Sequence, residues 1–309
     1  MTFQDQVLTE VSKAVVGKPD ILRRTLQVIL AGGHILLEDM PGVGKTTLAL
    51  AFSRALGLRW GRVQFTPDVM PSDVVGYSLY NKQTGQMEYQ NGAVLCNLFL
   101  ADELNRATSR TQSALLEAME EGQVTVDGVS HPVPQPFFVI ATQNPTGAAG
   151  TQPLPDSQMD RFMVKLSMGY PGAAAEAQMV RDRQGKNPME GIQSVLTAGE
   201  LTALRQQTAQ VHISDPILEY IIALVAATRE HKLLQRGASP RCTLAVAAMA
   251  RAHAMLEGRD YVLPQDVTDA FPITTAHRLL LKPEAEAGGA KTLAIAAALA
   301  RSIPQPTVR

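Results

Sequence analysis

Leu36-Leu37-Glu38-Asp39-Met40-Pro41-Gly42-Val43-Gly44-Lys45-Thr46-Thr47 decides how the rest of this chain is read. The short apolar run Ile35 to Leu37 leads into it, and Leu48, Ala49, Phe52, Ala55 and Leu56 follow at helical spacing. Strand, glycine-containing turn, Gly-Lys-Thr and helix together are the context of a phosphate-binding loop. Gly42 and Gly44 let backbone N–H groups turn inward around an anion without a Cβ in the way. The helix adds its unsatisfied N-terminal amides and the positive end of its dipole. Pro41, Gly42, Val43, Gly44, Lys45, Thr46 and Thr47 are therefore the expected phosphate-binding residues, with Lys45 on the terminal phosphates and the Thr46 hydroxyl on Mg²⁺. The usual pattern has glycine six residues before the lysine. Asp39 stands there instead, a residue that tolerates turn conformations.

A second stretch answers the first. Val94 to Ala101 is nearly all apolar and ends in Asp102-Glu103. Such a run suits a buried parallel strand, and carboxylates at its end fall where open α/β sheets bind ligands. Beside a phosphate loop, Asp102 is expected to hold Mg²⁺ and Glu103 to polarise an attacking water. Pro136 to Thr142 reads as another buried strand and ends in Gln143-Asn144, again a polar group at a strand's carboxyl end. Two polar turns, at 81–85 and 127–128, are flanked by alternating residues and predict β-hairpins over 76–89 and 123–133. Asn81-Lys82-Gln83-Thr84 lacks the aspartate of a guanine-recognition motif, so guanine specificity is rejected. The Gly/Pro-rich segment 147–155 reads as a loop, and Phe162 to Leu166 as a strand.

The character changes after Gly185-Lys186-Asn187-Pro188, which reads as a linker. Thr197 to Glu200 is a capping-box pattern, and helical patterns open at Asp215, Thr243, Pro264 and Ala290. No alternating stretch appears there. The expectation is an α/β domain over 1–188, with a parallel sheet between helices and two hairpin insertions, followed by an all-α domain over 189–309. A length of 309 residues suits about two domains.

Composition removes several classes. The net charge of −1 gives no global attraction to nucleic acid or an anionic membrane. Two cysteines without metal-ligand spacing point to a reducing compartment, and the scattered histidines offer no ligand pair. The N-terminal residues lack the basic start and apolar core of an export signal, and no apolar run is long enough to span a bilayer. The chain is therefore expected to be soluble and cytoplasmic.

Taken together, these segments resemble the MoxR-type AAA+ ATPases. The opening stretch looks like their Walker A segment, in which Asp commonly replaces the first Gly. Leu98-Phe99-Leu100-Ala101-Asp102-Glu103 resembles Walker B, and Ala141-Thr142-Gln143-Asn144-Pro145 resembles sensor 1. Asp160-Arg161-Phe162 is similar to the segment carrying the arginine finger, and Gly237-Ala238-Ser239-Pro240-Arg241 to sensor 2. The resemblance implies the P-loop NTPase (AAA+) fold with an all-α lid, and ATP hydrolysis with Mg²⁺. It also implies a homo-oligomeric ring, usually a hexamer, and a chaperone-like role toward a von Willebrand factor A domain partner. Glu103, Asn144, Arg161 and Arg241 would be the catalytic groups, Arg161 acting on the neighbouring subunit's nucleotide. Arg106 is a second candidate for that contact. The plainer readings are that Arg161 forms a surface ion pair, that Arg241 caps a helix and that the hairpins are decoration; otherwise the hairpins touch the client. A nucleic-acid motor, a metal-chelatase motor subunit and a nucleotide-gated scaffold share these parts and stay open as alternatives.

Overall fold

The apolar runs become buried strands. The structure, a computed structural model, describes residues 2–144, 153–182 and 187–307. These form two units that interleave in sequence: Met1–Arg23, Leu36–Leu154 and Ser167–Thr202 in the first, and Arg24–Ile35, Pro155–Leu166 and Ala203–Arg309 in the second. The first holds strands β1 (Ile35–Glu38), β2 (Trp60–Gln64), β3 (Gly76–Asn81), β4 (Gln86–Asn91), β5 (Leu98–Asp102), β6 (Gln123–Val126), β7 (Val129–Pro132) and β8 (Phe138–Gln143). Its central strands run in the order β2-β5-β8-β1. β5 pairs in parallel with β2, Trp60↔Leu98 through Gln64↔Asp102, and with β8, Leu98↔Phe138 through Ala101↔Ala141. Every residue of β5 and β8 is buried, which is why both read as unbroken apolar runs rather than as alternation.

The order matters for function. β8 comes late in the sequence yet lies between β5 and β1, so the carboxyl ends of all three open at one edge of the sheet. β5 starts at Leu98 rather than at Val94, because Asn97 is used as an end-piece. Its Oδ1 accepts from the Arg59 N–H at 3.3 Å, and its Nδ2 donates to the Pro136 carbonyl at 3.1 Å.

Both hairpins form as expected, β3 with β4 and β6 with β7. Tyr89 of the first stacks on His131 of the second, with ring centroids 3.6 Å apart and planes 13° from parallel. Tyr77, Leu79, Tyr80 and Met87 of the first hairpin are exposed. The loop expected over 147–155 and the linker at 185–188 lie largely outside the described residues.

The second unit contains β9 (Val164–Leu166) and the helices Asp215–Glu230, Pro240–Leu256, Pro264–Thr275 and Thr292–Ser302 around Ile217, Leu224, Val246 and Phe271. Apart from β9 it is helical with one further addition. Two short strands, β10 (Leu234–Arg236) and β11 (Leu280–Leu281), pair antiparallel; at two and three residues they are too short for alternation to register. The capping box at Thr197 forms, with the Thr197 N–H on Glu200 Oε2 at 2.8 Å and the Glu200 N–H on Thr197 Oγ1 at 3.3 Å. The grouping of residues differs from a single break at 188. Residues 24–35 join the helical unit through Gln27, whose Nε2 donates to the Met249 carbonyl, and through the Ile29 carbonyl, which accepts from Arg205 Nε. Residues 189–195 stay with the first unit, where the Gln193 N–H donates to Glu10 and the Val195 N–H to the Ala55 carbonyl. Among the described residues no helix is long and apolar enough to cross a membrane.

The helical unit is pinned by one carboxylate. Asp266 is 1% exposed and accepts from Arg259 at 2.8 and 2.6 Å and from the Leu263 N–H at 2.7 Å, with His253 Nδ1 at 2.7 Å. Burial raises its pKa, but the bonds from His253, Arg259 and Leu263 outweigh that and hold it at about 2, below the ordinary 3.8. A depressed carboxylate pKa stabilises the fold above the unfolded value and loses that contribution as pH falls through the folded one, here about 2 kcal/mol between pH 4 and 2. Asp266→Asn is expected to cost about 3 kcal/mol in urea denaturation at neutral pH and to flatten this acid limb. An unchanged acid limb in the variant would rule out Asp266 as its source.

Candidate functional site

The helix Lys45–Ala55 begins at Gly44, which has φ +98° and makes no side-chain cap; no acidic residue lies in its first turn. Gly42 has φ +88°. A Cβ at Gly42 would meet nothing within 4 Å, and one at Gly44 only Met168 Cε at 3.8 Å. The glycines are therefore required by backbone angle and not by space, a preference of about 1–2 kcal/mol per residue. Lys45 is 8% exposed, and its Nζ donates to the Asp39 carbonyl at 2.6 Å. Burial lowers its pKa, opposed by the charges of Asp39, Asp102 and Glu103. Among the described residues it forms no ion pair. A buried ammonium at an uncapped helix N-terminus fits an anion.

The carboxylates lie on the same edge. Asp102 Oδ1 accepts from the Thr142 hydroxyl at 2.7 Å and Oδ2 from Arg62 Nη2 at 2.7 Å. Glu103 is held in the left-handed region (φ 56°, ψ 45°), rare for a residue with a side chain and costly enough that its neighbours must enforce it. They do. Its N–H donates to Thr142 Oγ1 at 2.8 Å, while its side chain accepts from Arg106 Nη1 at 2.8 Å and Asn144 Nδ2 at 3.3 Å. The Arg106 bond leads the causes that hold the Glu103 carboxyl below its usual range, against burial. Asn144 Oδ1 is buried and has no hydrogen-bond partner among the described residues. An ionised carboxylate held by a neighbouring amide N–H can accept from and so orient a water.

No group of three or more His, Cys, Asp or Glu is placed to hold a metal among the described residues. Mg²⁺ at a phosphate loop takes most of its ligands from phosphate and water, so the Thr46 hydroxyl and Asp102 would suffice as its protein share. Beside the loop is a cleft of about 360 Å³ whose lining includes Val15, Val16, Thr47, Met168, Tyr170 and Pro171. Both cysteines are buried, and burial pushes the Cys96 thiol up to about 12, so that thiol is not a nucleophile at neutral pH.

The structure thus brings the Lys45 loop, Asp102, Glu103 and Asn144 together. Arg161 and Arg241 belong to the second unit. Arg161 follows the turn Asp156–Met159, and Arg241 is exposed in the first turn of the helix Pro240–Leu256. Arg106, a candidate for an intersubunit contact, is bonded within its own chain. Sequence reasoning missed Arg62 and Thr142 as partners of Asp102, since only strand pairing brings them near it. It also missed the Asp39 side chain: its carboxylate, 6% exposed, accepts from the Ser167 hydroxyl and from the N–H groups of Met168 and Gly169.

Comparison with known proteins agrees with this geometry. Residues 34–164 match the family model "ATPase family associated with various cellular activities (AAA)", and residues 226–298 match an AAA lid domain. YeaC of Bacillus subtilis is 43% identical over 98% of this chain and 95% of its own length. Chaperone MoxR1 of Mycobacterium tuberculosis is 39% identical over 91% and 76%, and MoxR of Methylorubrum extorquens 32% over 89% and 86%. The crystal structure of a candidate ATPase from Cytophaga hutchinsonii superposes with a TM-score of 0.89 at 37% identity, covering 99% of this chain and 96% of that one. With the phosphate loop, the paired carboxylates and the strand order that joins them, these relatives establish that the chain belongs to the MoxR-type AAA+ ATPases.

Proposed function

We propose that the protein binds ATP with Mg²⁺ on the Lys45 loop, hydrolyses it, and uses the cycle to remodel a partner protein. The observation that carries this is Glu103, ionised and clasped between Arg106 and Asn144, one residue beyond Asp102 and on the same strand edge as the loop. Lys45 and the N–H groups of Gly42 to Thr47 bind the phosphates, and Thr46 and Asp102 hold the metal. Bound ATP would supply the phosphoanhydride bond, and Mg²⁺ held by Thr46 and Asp102 would supply positive charge beside the phosphates. Glu103 aligns the attacking water and takes its proton; Asn144 orients the Glu103 carboxylate through its Nδ2.

The active form is a homo-oligomeric ring of six subunits, in which Arg161 of one chain stabilises charge at the neighbour's site. Arg241 contacts the phosphates and ties the position of the helical unit to nucleotide state. The exposed Tyr77, Leu79, Tyr80 and Met87 give the first hairpin an apolar surface for a client. Chaperone MoxR1 is named as a chaperone, which supports the remodelling role; the partner is a protein with a von Willebrand factor A domain.

Glu103→Gln is expected to keep ATP affinity and to lower phosphate release by about 10²-fold or more, trapping the ATP state for affinity capture of the partner. Turnover at the parental rate would remove Glu103 from the mechanism, and capture of nucleic acid alone would overturn the protein-remodelling reading. Arg161→Ala is expected to lower kcat by about 10³-fold with ring size and ATP affinity intact. Undiminished hydrolysis would exclude Arg161 as the intersubunit group. Arg106→Ala removes the leading cause of the depressed Glu103 pKa. The carboxyl then rises, and the acid limb of the ATPase profile should move to higher pH; an unmoved limb would separate Arg106 from the base.

A further inference from the structure

Residues 167–172, between the end of β9 and the helix Ala173–Asp182, have no regular secondary structure. They still form one wall of the cleft, through Met168, Tyr170 and Pro171. Two opposite charges grip this strap. From one side, Asp39 Oδ1 accepts from the Ser167 hydroxyl at 2.7 Å and the Gly169 N–H at 3.0 Å, and Oδ2 from the Met168 N–H at 2.7 Å. From the other, Lys18 Nζ donates to the Met168 carbonyl at 2.5 Å and the Tyr170 carbonyl at 2.7 Å. The N–H and C=O groups of one stretch are thus tied to an anion and a cation from two distant parts of the chain. Gly17, at φ +73°, allows the close approach this needs: a Cβ there would lie 2.6 Å from Ala175 Cβ.

Asp39 has a second bond of a different kind. Its main-chain carbonyl, not its carboxylate, accepts from Lys45 Nζ. A glycine at position 39 would keep that bond and lose all three to the strap. The side chain is therefore not bonded to the phosphate-binding lysine, though its charge is felt there, and what its bonds add is a fixed distance between the loop and the apolar wall. A wall built from Val15, Val16, Met168, Tyr170 and Pro171 suits a flat heteroaromatic ring, and its fit depends on where the strap is held.

We infer that Asp39 and Lys18 are positioning residues that clamp the strap 167–171 against the phosphate loop, and so set affinity for the nucleoside part of the ligand separately from its phosphates. This rests on reading the cleft as a nucleotide site. The test is calorimetric titration of the full-length protein with Mg²⁺-ADP and, separately, with inorganic tripolyphosphate, which carries the phosphates without a base. Asp39→Gly and Lys18→Met each remove a charge that tripolyphosphate also feels, so each is expected to weaken ADP by at least about tenfold more than it weakens tripolyphosphate, whereas the uncharged change Ser167→Ala should leave tripolyphosphate within about twofold. Asp39→Asn, which keeps one acceptor oxygen, should fall between Asp39→Gly and the parent. Ser167→Ala, a milder change that removes one donor to Asp39, should weaken ADP alone and serves if Asp39→Gly does not fold. Equal weakening of both ligands, or of neither, overturns the inference and returns Asp39 to a role in the loop itself. Failure of the underlying reading looks different: the parent would then bind neither ligand better than Lys45→Ala does.

Discussion

The site is organised by the placement of one positive charge. Lys45 is buried, and removing an ammonium from water costs several kcal/mol unless something compensates. Three carboxylates lie close enough to oppose the effect of burial on it, yet none bonds to it. Two of them are spoken for: Asp102 is paired with Arg62 and Glu103 with Arg106, at 2.7 and 2.8 Å. Asp39 spends its carboxylate on the strap. Each nearby anion is bonded to another partner, so the lysine bonds only a neutral carbonyl and the carboxylates offset its charge from a distance, an arrangement that suits an incoming anion. Arginine suits this arrangement, because its fork binds a carboxylate from the rim of a site while staying partly in water. The side chains of Arg62 and Arg106 are 40% and 37% exposed against 11% and 17% for their partners.

This balance depends on the sheet. β8 must lie between β5 and β1 for Thr142 to reach Asp102, for Asn144 to reach Glu103, and for Gln143 to donate to Glu38 at 2.6 Å. No local pattern announces that order. The loop, the helix after it, both hairpins and the two apolar strands could be read from periodicity and turn residues, because each is specified within a dozen positions. The partners of the carboxylates could not. Arg62 precedes Asp102 by 40 residues, and Thr142 follows it by 40; what joins them is strand pairing, a long-range property. The same limit hid the interleaving of the two units, which is set by contacts such as that of Gln27 with the Met249 carbonyl.

Asp39 shows a different kind of failure. Judged as a turn residue it merely stands in for glycine, and its turn tolerance explains why it is permitted. The structure gives the reason it is useful. Its backbone is not in the left-handed region at all, so conformational tolerance is not what the position requires. Three donors within reach of a buried carboxylate are. A position can therefore depart from a motif's usual residue while the departure carries a function of its own, and local propensity cannot distinguish the two cases.

The left-handed Glu103 connects these threads. Immediately after it the chain makes the turn Leu104–Arg106 and enters the helix Ser109–Glu121, whose Gln112 donates to the carbonyls of Leu104 and Ala107 at 3.3 and 3.2 Å. Thr111 on the same helix donates to the Val69 carbonyl, shortly before the first hairpin, and the helix ends at Gly122 directly against β6 of the second. The stack of Tyr89 on His131 then joins the hairpins to each other. Glu103 and Arg106 thus share one short turn that is bonded to a single helix, and that helix reaches both hairpins. A packed path of this kind carries coupling only if some element along it has two arrangements. The turn is the best placed element to have them, since its Glu103 backbone is held in a costly conformation by a few specific bonds. Loss of the Arg106 or Asn144 bond would release the Glu103 side chain and loosen the turn that leads into the helix to the hairpins.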